Sequence, residues 1–149
     1  EELNAITLLE EGFVLALPSS SRLNELPQIN AARLAGETFI LPEQISGTLA
    51  VAAQGGFTPH LGPQPGSLVA VVALVSLGQG IAVVPESMVR RVSLPQVNYR
   101  PIEDCQPRSC LALLHRRFEK APAVQRYIEM LRADQLRGSD QIPLNQLYP

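Results

Sequence analysis

Residues 67–85 read SLVAVVALVSLGQGIAVVP, and no other stretch of this chain is as apolar. Periodicity alone permits two interpretations of its first half. It is either a buried strand in a hairpin with a glycine turn, or a fully buried helix from Ser67 to Leu77. Eleven residues are many for a strand and ordinary for a helix, so the sequence favours the helix. Its longest uninterrupted apolar run, Leu68–Val75, is too short to cross a bilayer.

The residues around this helix fit the same interpretation. Ser67 suits an N-cap, and Gly78 suits the left-handed residue that ends a helix. Ile81–Val84, stopped by Pro85, then forms a short buried strand. The core of the protein is therefore expected to form around this helix and this strand.

Outward from this centre, strands and helices alternate along the chain, which predicts an α/β fold with a largely parallel sheet. A helical segment is expected from Asn30, as N-cap, to Gly36, and a second from Thr48 to Gln54. A short helix follows Pro85, and an amphipathic helix opens at Pro122 and ends near Gly138. The expected strands are Phe13–Pro18, Thr38–Leu41, Val97–Ile102 and Ser109–His115. The tail after Ser139 has no periodicity.

Composition places the chain among globular proteins. It has 149 residues, of which 46% are hydrophobic and 17% charged, enough for one real core. No targeting signal is visible, and the start at Glu1, without Met, suggests a fragment. Residues 1–89 hold eight acidic and two basic side chains, whereas residues 90–149 hold six and ten. The basic residues are scattered without a recognition motif, which indicates a solvated surface and not a nucleic-acid interface.

No catalytic or metal-binding set can be assembled from the sequence. Nucleophile-elbow, phosphate-loop and dinucleotide fingerprints are missing. Cys105 and Cys110 do not form a zinc motif with His60 or His115. The sequence therefore predicts a binding module, with no metal and no cofactor, and reduced thiols typical of the cytoplasm.

Two helix starts are rich in polar groups and are the expected ligand site. Glu43-Gln44-Ile45-Ser46-Gly47 precedes one helix, and Ser67 begins the other. The first turn of a helix carries unpaired N–H groups and partial positive charge, so a polar or anionic small molecule would bind there. The loop Ser19-Ser20-Ser21 after the strand ending at Pro18 is a third polar candidate.

Several motifs, in this order, resemble the effector-binding domain of LysR-type transcriptional regulators. They are Phe13-Val14-Leu15-Ala16-Leu17-Pro18, Leu34-Ala35-Gly36-Glu37-Thr38-Phe39-Ile40, Gly56-Phe57-Thr58-Pro59, Val75–Pro85 and Tyr99-Arg100-Pro101-Ile102. The resemblance runs from about Leu9 to Leu131. Ser20-Ser21-Arg22 departs from it, because the family often has His-Pro there.

The resemblance implies a periplasmic-binding-protein-like α/β fold with two subdomains joined by two crossing strands, the first subdomain being incomplete. It divides the chain into residues 1–18, the end of the first subdomain and a crossing strand; residues 19–96, a complete second subdomain; residues 97–135, the other crossing strand and the return; and a tail, 136–149. A small effector would bind in the cleft between subdomains. The candidate ligand-binding residues are Ser19, Pro42, Gln44, Ser46, Gly47, Gln64, Gly66 and Ser67.

The leading hypothesis is thus a non-catalytic, cytoplasmic sensor that controls transcription as a homo-oligomer. Its contact with DNA would go only through a helix-turn-helix outside this chain, and it has no membrane partner. One alternative is a solute-binding receptor of the same fold class. A second is an α/β enzyme with Ser20 or Cys110 as nucleophile, for which no base is placed in sequence.

Overall fold

The computed structural model of the protein describes residues 2–105 and 108–137. The chain divides into two compact units, a larger one from Glu11 to Ser109 and a smaller one from the residues before and after it. The division into residues 1–18, 19–96 and 97–135 stays a prediction. Residues 13–18 and 97–102, expected as crossing strands, both lie inside the larger unit, where they pair with each other.

The described elements alternate as expected for an α/β fold. The strands are β1 (Leu3–Pro18), β2 (Thr38–Phe39), β3 (His60–Leu61), β4 (Ala82–Pro85), β5 (Val97–Arg100) and β6 (Arg108–Arg116). The helices are α1 (Ser46–Gly55), α2 (Leu68–Ser76), α3 (Met88–Arg91) and α4 (Pro122–Arg137), with 3-10 turns at Arg22–Glu25 and Ala31–Leu34. The expected tail after Ser139 lies outside the described residues.

β2 and β3 form a small sheet separate from that of β4, β1 and β5, and the latter is antiparallel, so the prediction of a largely parallel sheet was wrong. β2 pairs with β3 in parallel, and a parallel bridge joins Phe39 to Ile81 just before β4. β1, however, runs antiparallel to both β4 and β5, with Leu15 opposite Val83 and Arg100. A strand buried on both faces has the same continuous apolar sequence in either direction, so the sequence could not distinguish them.

Helix α2 confirms the helical interpretation of the opening stretch. The Ser67 side chain accepts a hydrogen bond from the Ala70 N–H at 3.1 Å, and Gly78 has φ +75°. The helix is not fully buried as expected, however. Val71, Val72 and Val75 are buried, whereas Val69 is 61% exposed. One apolar face is enough to hold the helix on the sheet, because each buried valine contributes on the order of 1.5–3 kcal/mol.

The larger unit has three layers. Alternate residues of β1 and β4 point to opposite faces: Leu15, Leu17 and Val83 pack in one apolar cluster, and Ala16, Ala82 and Val84 in the other. The first cluster also contains Val51 of α1, and the second contains the buried valines of α2. The sheet therefore lies between α1 and α2, as the two-residue period of a strand requires.

The helix predicted from Asn30 to Gly36 is wrong. It is a 3-10 turn, Ala31–Leu34, and the Asn30 side chain makes no cap hydrogen bond. Asp104 supplies the cap instead, because its Oδ1 accepts from the Ala31 N–H at 2.7 Å.

In the smaller unit, β6 pairs with β1. Helix α4 follows there, and its Ile128 is buried.

Candidate functional site

The candidate site lies at one edge of the sheet in the larger unit. Helix α1 follows β2, and α2 follows β3, so both begin where parallel strands end. Two hydrogen bonds join the loops that lead into these helices. Gln64 Nε2 donates to the Pro42 carbonyl at 2.8 Å, and the Leu41 N–H donates to the Pro63 carbonyl at 2.8 Å. The structure thus brings the two predicted ligand-binding loops together.

The first turn of α1 has no side-chain cap. Ile45 is the N-cap residue, with φ −93° and ψ 2°, and no side-chain hydrogen bond closes the turn. The Leu49 N–H is the first to bond within the helix, to Ile45. The N–H groups of Ser46, Gly47 and Thr48 precede it, and such groups have no partner within their own helix. The first turn of α1 therefore carries N–H groups that no side chain caps.

Gly47 allows an aromatic ring to approach this turn. A Cβ atom at position 47 would lie 2.8 Å from Cε1 of Phe13, closer than real Cβ contacts. Gly47 is buried, while Ser46 and Gln44, on the approach to the helix, are exposed. The packing of the β1 ring against α1 is a structural reason for glycine here, in addition to the predicted contact with ligand.

Thr48 is a candidate that the sequence analysis missed. Its side chain is 1% exposed, and its Oγ1 has no hydrogen-bond partner among the described residues. A buried hydroxyl without a partner costs roughly 1–3 kcal/mol. The only signal in the sequence was a hydroxyl residue in the first turn of a polar helix start. Its burial depends on packing that the sequence does not show.

The first turn of α2 differs from that of α1. The Ser67 hydroxyl already accepts a hydrogen bond from the Ala70 N–H. One N–H donor of the first turn of α2 is therefore satisfied within the chain. Gly66, before it, has φ +81°, and no atom lies within 4 Å of where a Cβ would be. Left-handed backbone favours glycine at this position. The Gln64–Ser67 loop is exposed, and Gln64 bonds it to the loop that precedes α1.

Ser19 is the one candidate that the structure places apart. It follows the last residue of β1, six residues after Phe13, which amounts to roughly 20 Å along a strand. Its N–H donates to the Gln96 carbonyl at 2.8 Å, and its Oγ to Gln96 Oε1 at 2.9 Å. Ser19 therefore lies at the C-terminal end of β1, well away from Phe13 and the α1 turn.

Two further carboxylates, Glu11 and Glu86, lie at the same edge of the sheet as the start of α1. Glu11, near the start of the β1 segment in the larger unit, accepts from the Ser87 N–H at 2.9 Å and from the Ser87 hydroxyl at 3.2 Å. Phe13 pairs with Pro85, which fixes this end of β1 beside the end of β4. Glu86 is next in the chain, and its N–H donates to the Gly12 carbonyl at 3.0 Å.

Among residues 2–105 and 108–137, no group of three or more His, Cys, Asp or Glu side chains is arranged to hold a metal. Burial, together with the charge of Asp104, raises the pKa of the Cys105 thiol, which disfavours its reactive thiolate. The Cys110 thiol is exposed and lies 3.7 Å from Thr7 Oγ1. Within the same described residues, no helix is long and apolar enough to span a membrane.

A three-layer α/β unit with polar helix starts at one sheet edge is typical of proteins that bind ligands at the carboxyl ends of their strands. The comparison with known families agrees. Residues 1–135 match the family model of the LysR substrate binding domain, so the chain belongs to that family.

Curated relatives are transcriptional regulators. The chain is 29% identical over 133 residues to the HTH-type transcriptional regulator BudR of Raoultella terrigena, covering 85% of this chain and 46% of that protein. It is 30% identical over 130 residues to the HTH-type transcriptional regulator CatR of Pseudomonas putida, covering 83% and 44%. The chain thus spans less than half the length of these two relatives.

Solved structures show the same fold. The effector binding domain of QuiR in complex with shikimate has a TM-score of 0.76 at 16% identity, covering 91% of this chain and 66% of that one. The BenM effector binding domain with benzoate has a TM-score of 0.67 at 19% identity, covering 99% and 69%. These matches confirm the predicted periplasmic-binding-protein-like α/β fold class.

Proposed function

We propose that this chain is the effector-sensing part of a LysR-type transcriptional regulator and binds a small carboxylate at the first turn of α1. The observation that carries the proposal is the uncapped turn at Ser46–Thr48, which the Gln64–Pro42 hydrogen bond places beside the start of α2. Helix N–H groups and the positive end of the helix dipole favour an anion there.

The buried Thr48 hydroxyl supports the same location. Native proteins rarely leave a buried polar atom without a partner, and a bound ligand is one way to satisfy it. Pro42, Gln44, Ser46 and Gly47 then surround the ligand from the α1 side. Gln64, Gly66 and Ser67 form the neighbouring wall, and Ser19 takes no part.

The ligand class follows from this chemistry and from the relatives. QuiR and BenM are solved with shikimate and with benzoate, both carboxylates. The two curated relatives are named as HTH-type regulators. We therefore assign DNA binding in the parent protein to a helix-turn-helix outside residues 1–135, and its action to a homo-oligomer in the cytoplasm, without catalysis.

Thr48→Val tests the site, because it should raise stability and lower ligand affinity. The change removes the hydroxyl but keeps the shape, so it should raise the free energy of unfolding of the unliganded chain by about 1 kcal/mol. It should also weaken benzoate or shikimate binding, measured by calorimetry or ligand-induced thermal shift. Thr58→Val, at an exposed threonine, is the matched control and should change neither quantity.

Ser46→Asp and Ser46→Asn test the charge at the same turn. Asp at the start of a helix is stabilising but repels an anion, whereas Asn is similar in size and neutral. We expect only the Asp variant to lose benzoate binding, and benzamide, the neutral analogue, to bind neither variant nor the parent chain. Equal carboxylate affinity in the parent, Ser46→Asp and Thr48→Val proteins would remove the α1 turn from the site.

A further inference from the structure

The Glu11 carboxylate is held in a fixed position at the edge of the sheet. Both of its oxygens accept hydrogen bonds from Ser87, at 2.9 Å from the backbone N–H and at 3.2 Å from the hydroxyl. The two residues are 76 positions apart in the chain. Both donors are neutral, so they orient the carboxylate without cancelling its negative charge.

The Glu11 carboxylate and the first turn of α1 lie on the same face of β1, because residues 11 and 13 of a strand point the same way. The Phe13 ring packs against Gly47 in the first turn of α1. Glu11 precedes Phe13 by two residues, which is roughly 7 Å along an extended strand. The fixed charge is therefore on the order of 10 Å from the turn.

We propose that Glu11 is a charge-selectivity residue, which disfavours a second negative charge on the ligand. The proposal rests on the proposed carboxylate site at α1. A first carboxylate binds to the helix N–H groups, whereas a second one on the same ligand extends into the negative potential of Glu11. For a second carboxylate held about 10 Å from Glu11, repulsion between unit charges weakens binding roughly two- to tenfold, depending on the local dielectric.

Glu11→Gln tests this selectivity. Glutamine still accepts from the Ser87 N–H, and it removes the charge. The measured quantity is the ratio of the dissociation constant of isophthalate, a dianion at neutral pH, to that of benzoate. We expect the ratio to fall about two- to tenfold in Glu11→Gln. It should stay at the parent value in Glu25→Gln, which makes the same charge change in the exposed turn that follows the far end of β1.

Two further measurements separate charge from geometry. Ser87→Ala removes one hydrogen bond and keeps the carboxylate charge, so its ratio should stay close to that of the parent. Raising the salt concentration should lower the ratio of the parent chain itself, since salt screens charges about 10 Å apart. This second measurement needs no variant to fold.

The outcomes distinguish the two proposals. Normal benzoate binding with an unchanged ratio in Glu11→Gln, or with a ratio insensitive to salt, overturns the role of Glu11 and leaves the α1 site standing. An equal change in Ser87→Ala and Glu11→Gln assigns the effect to geometry and also overturns it. A parent chain that binds neither benzoate nor isophthalate overturns the α1 site, and the selectivity proposal with it.

Discussion

Gly78 and Gly80 are two glycines in one turn that should respond very differently to alanine. Gly78 has φ +75°, and no atom lies within 4 Å of where its Cβ would be. Alanine there meets only the left-handed backbone penalty, about 1–2 kcal/mol. Gly80 has φ +158°, and its Cβ would lie 2.5 Å from the Thr38 carbonyl oxygen.

The contact at Gly80 cannot be relieved by a side chain, because the opposing atom belongs to the backbone of β2. That same oxygen accepts from the Ile81 N–H at 2.9 Å, and the Ile40 N–H donates to the Ile81 carbonyl at 2.8 Å. Moving β2 away weakens both bonds, each with a net contribution of about 0.5–1.5 kcal/mol. Backbone strain adds about 1–3 kcal/mol. We expect Gly80→Ala to cost roughly 3–5 kcal/mol.

Urea unfolding followed by far-UV circular dichroism measures both variants against the parent chain. Hydrogen exchange of the Ile40 and Ile81 amides gives a local measurement, and their protection should fall in Gly80→Ala but not in Gly78→Ala. Destabilisations within about 0.5 kcal/mol of each other, with both amides still protected, would refute the steric argument.

Three other predictions follow from contacts in the larger unit and from the two thiols. Asp104→Ala should lower the free energy of unfolding in urea by about 1 kcal/mol, because it removes the cap on Ala31, while Asn30→Ala should leave it nearly unchanged. The reverse order would mean that Asn30 caps the turn. Val75→Ala, at a fully buried valine, should cost about 2 kcal/mol by the same assay, and a cost near zero would mean that α2 does not pack on the sheet. Cys110 should react with iodoacetamide faster than Cys105 at neutral pH, because the Cys110 thiol is exposed. The raised pKa of Cys105 keeps its thiol protonated, so its reaction rate should rise only at higher pH. Equal rates in a mass-spectrometric time course would contradict this.

The sequence predicted elements whose limits depend on local chemistry. Ser67 and Gly78 frame α2 because capping and left-handed turns depend on one residue and its nearest neighbours. Pro122 opens α4 for the same local reason. The β1 residues before Phe13 were not assigned, because their mixed pattern becomes a strand only through pairing with β6.

Features that join distant residues escaped prediction. The cap on Ala31 comes from Asp104, 73 positions away, so the expected helix start at Asn30 looked sufficient and was wrong. The candidate site shows the same division. Helix chemistry pointed to the α1 and α2 starts, and the structure joins their loops. The roles of Thr48 and Glu11, however, depend on burial and on a contact with Ser87.

The difference between the two helix starts predicts which one supplies ligand affinity. At α2, the Ser67 side chain already satisfies one N–H group of the first turn, that of Ala70, whereas at α1 no side chain satisfies any of them. Ser67→Ala should therefore lower the free energy of unfolding by about 0.5–2 kcal/mol and weaken benzoate binding less than Thr48→Val does. Ser67→Asn, which keeps a cap, is the control and should restore stability. A loss of benzoate affinity in Ser67→Ala larger than in Thr48→Val, with unfolding unchanged, would move the ligand from the α1 turn to the α2 turn.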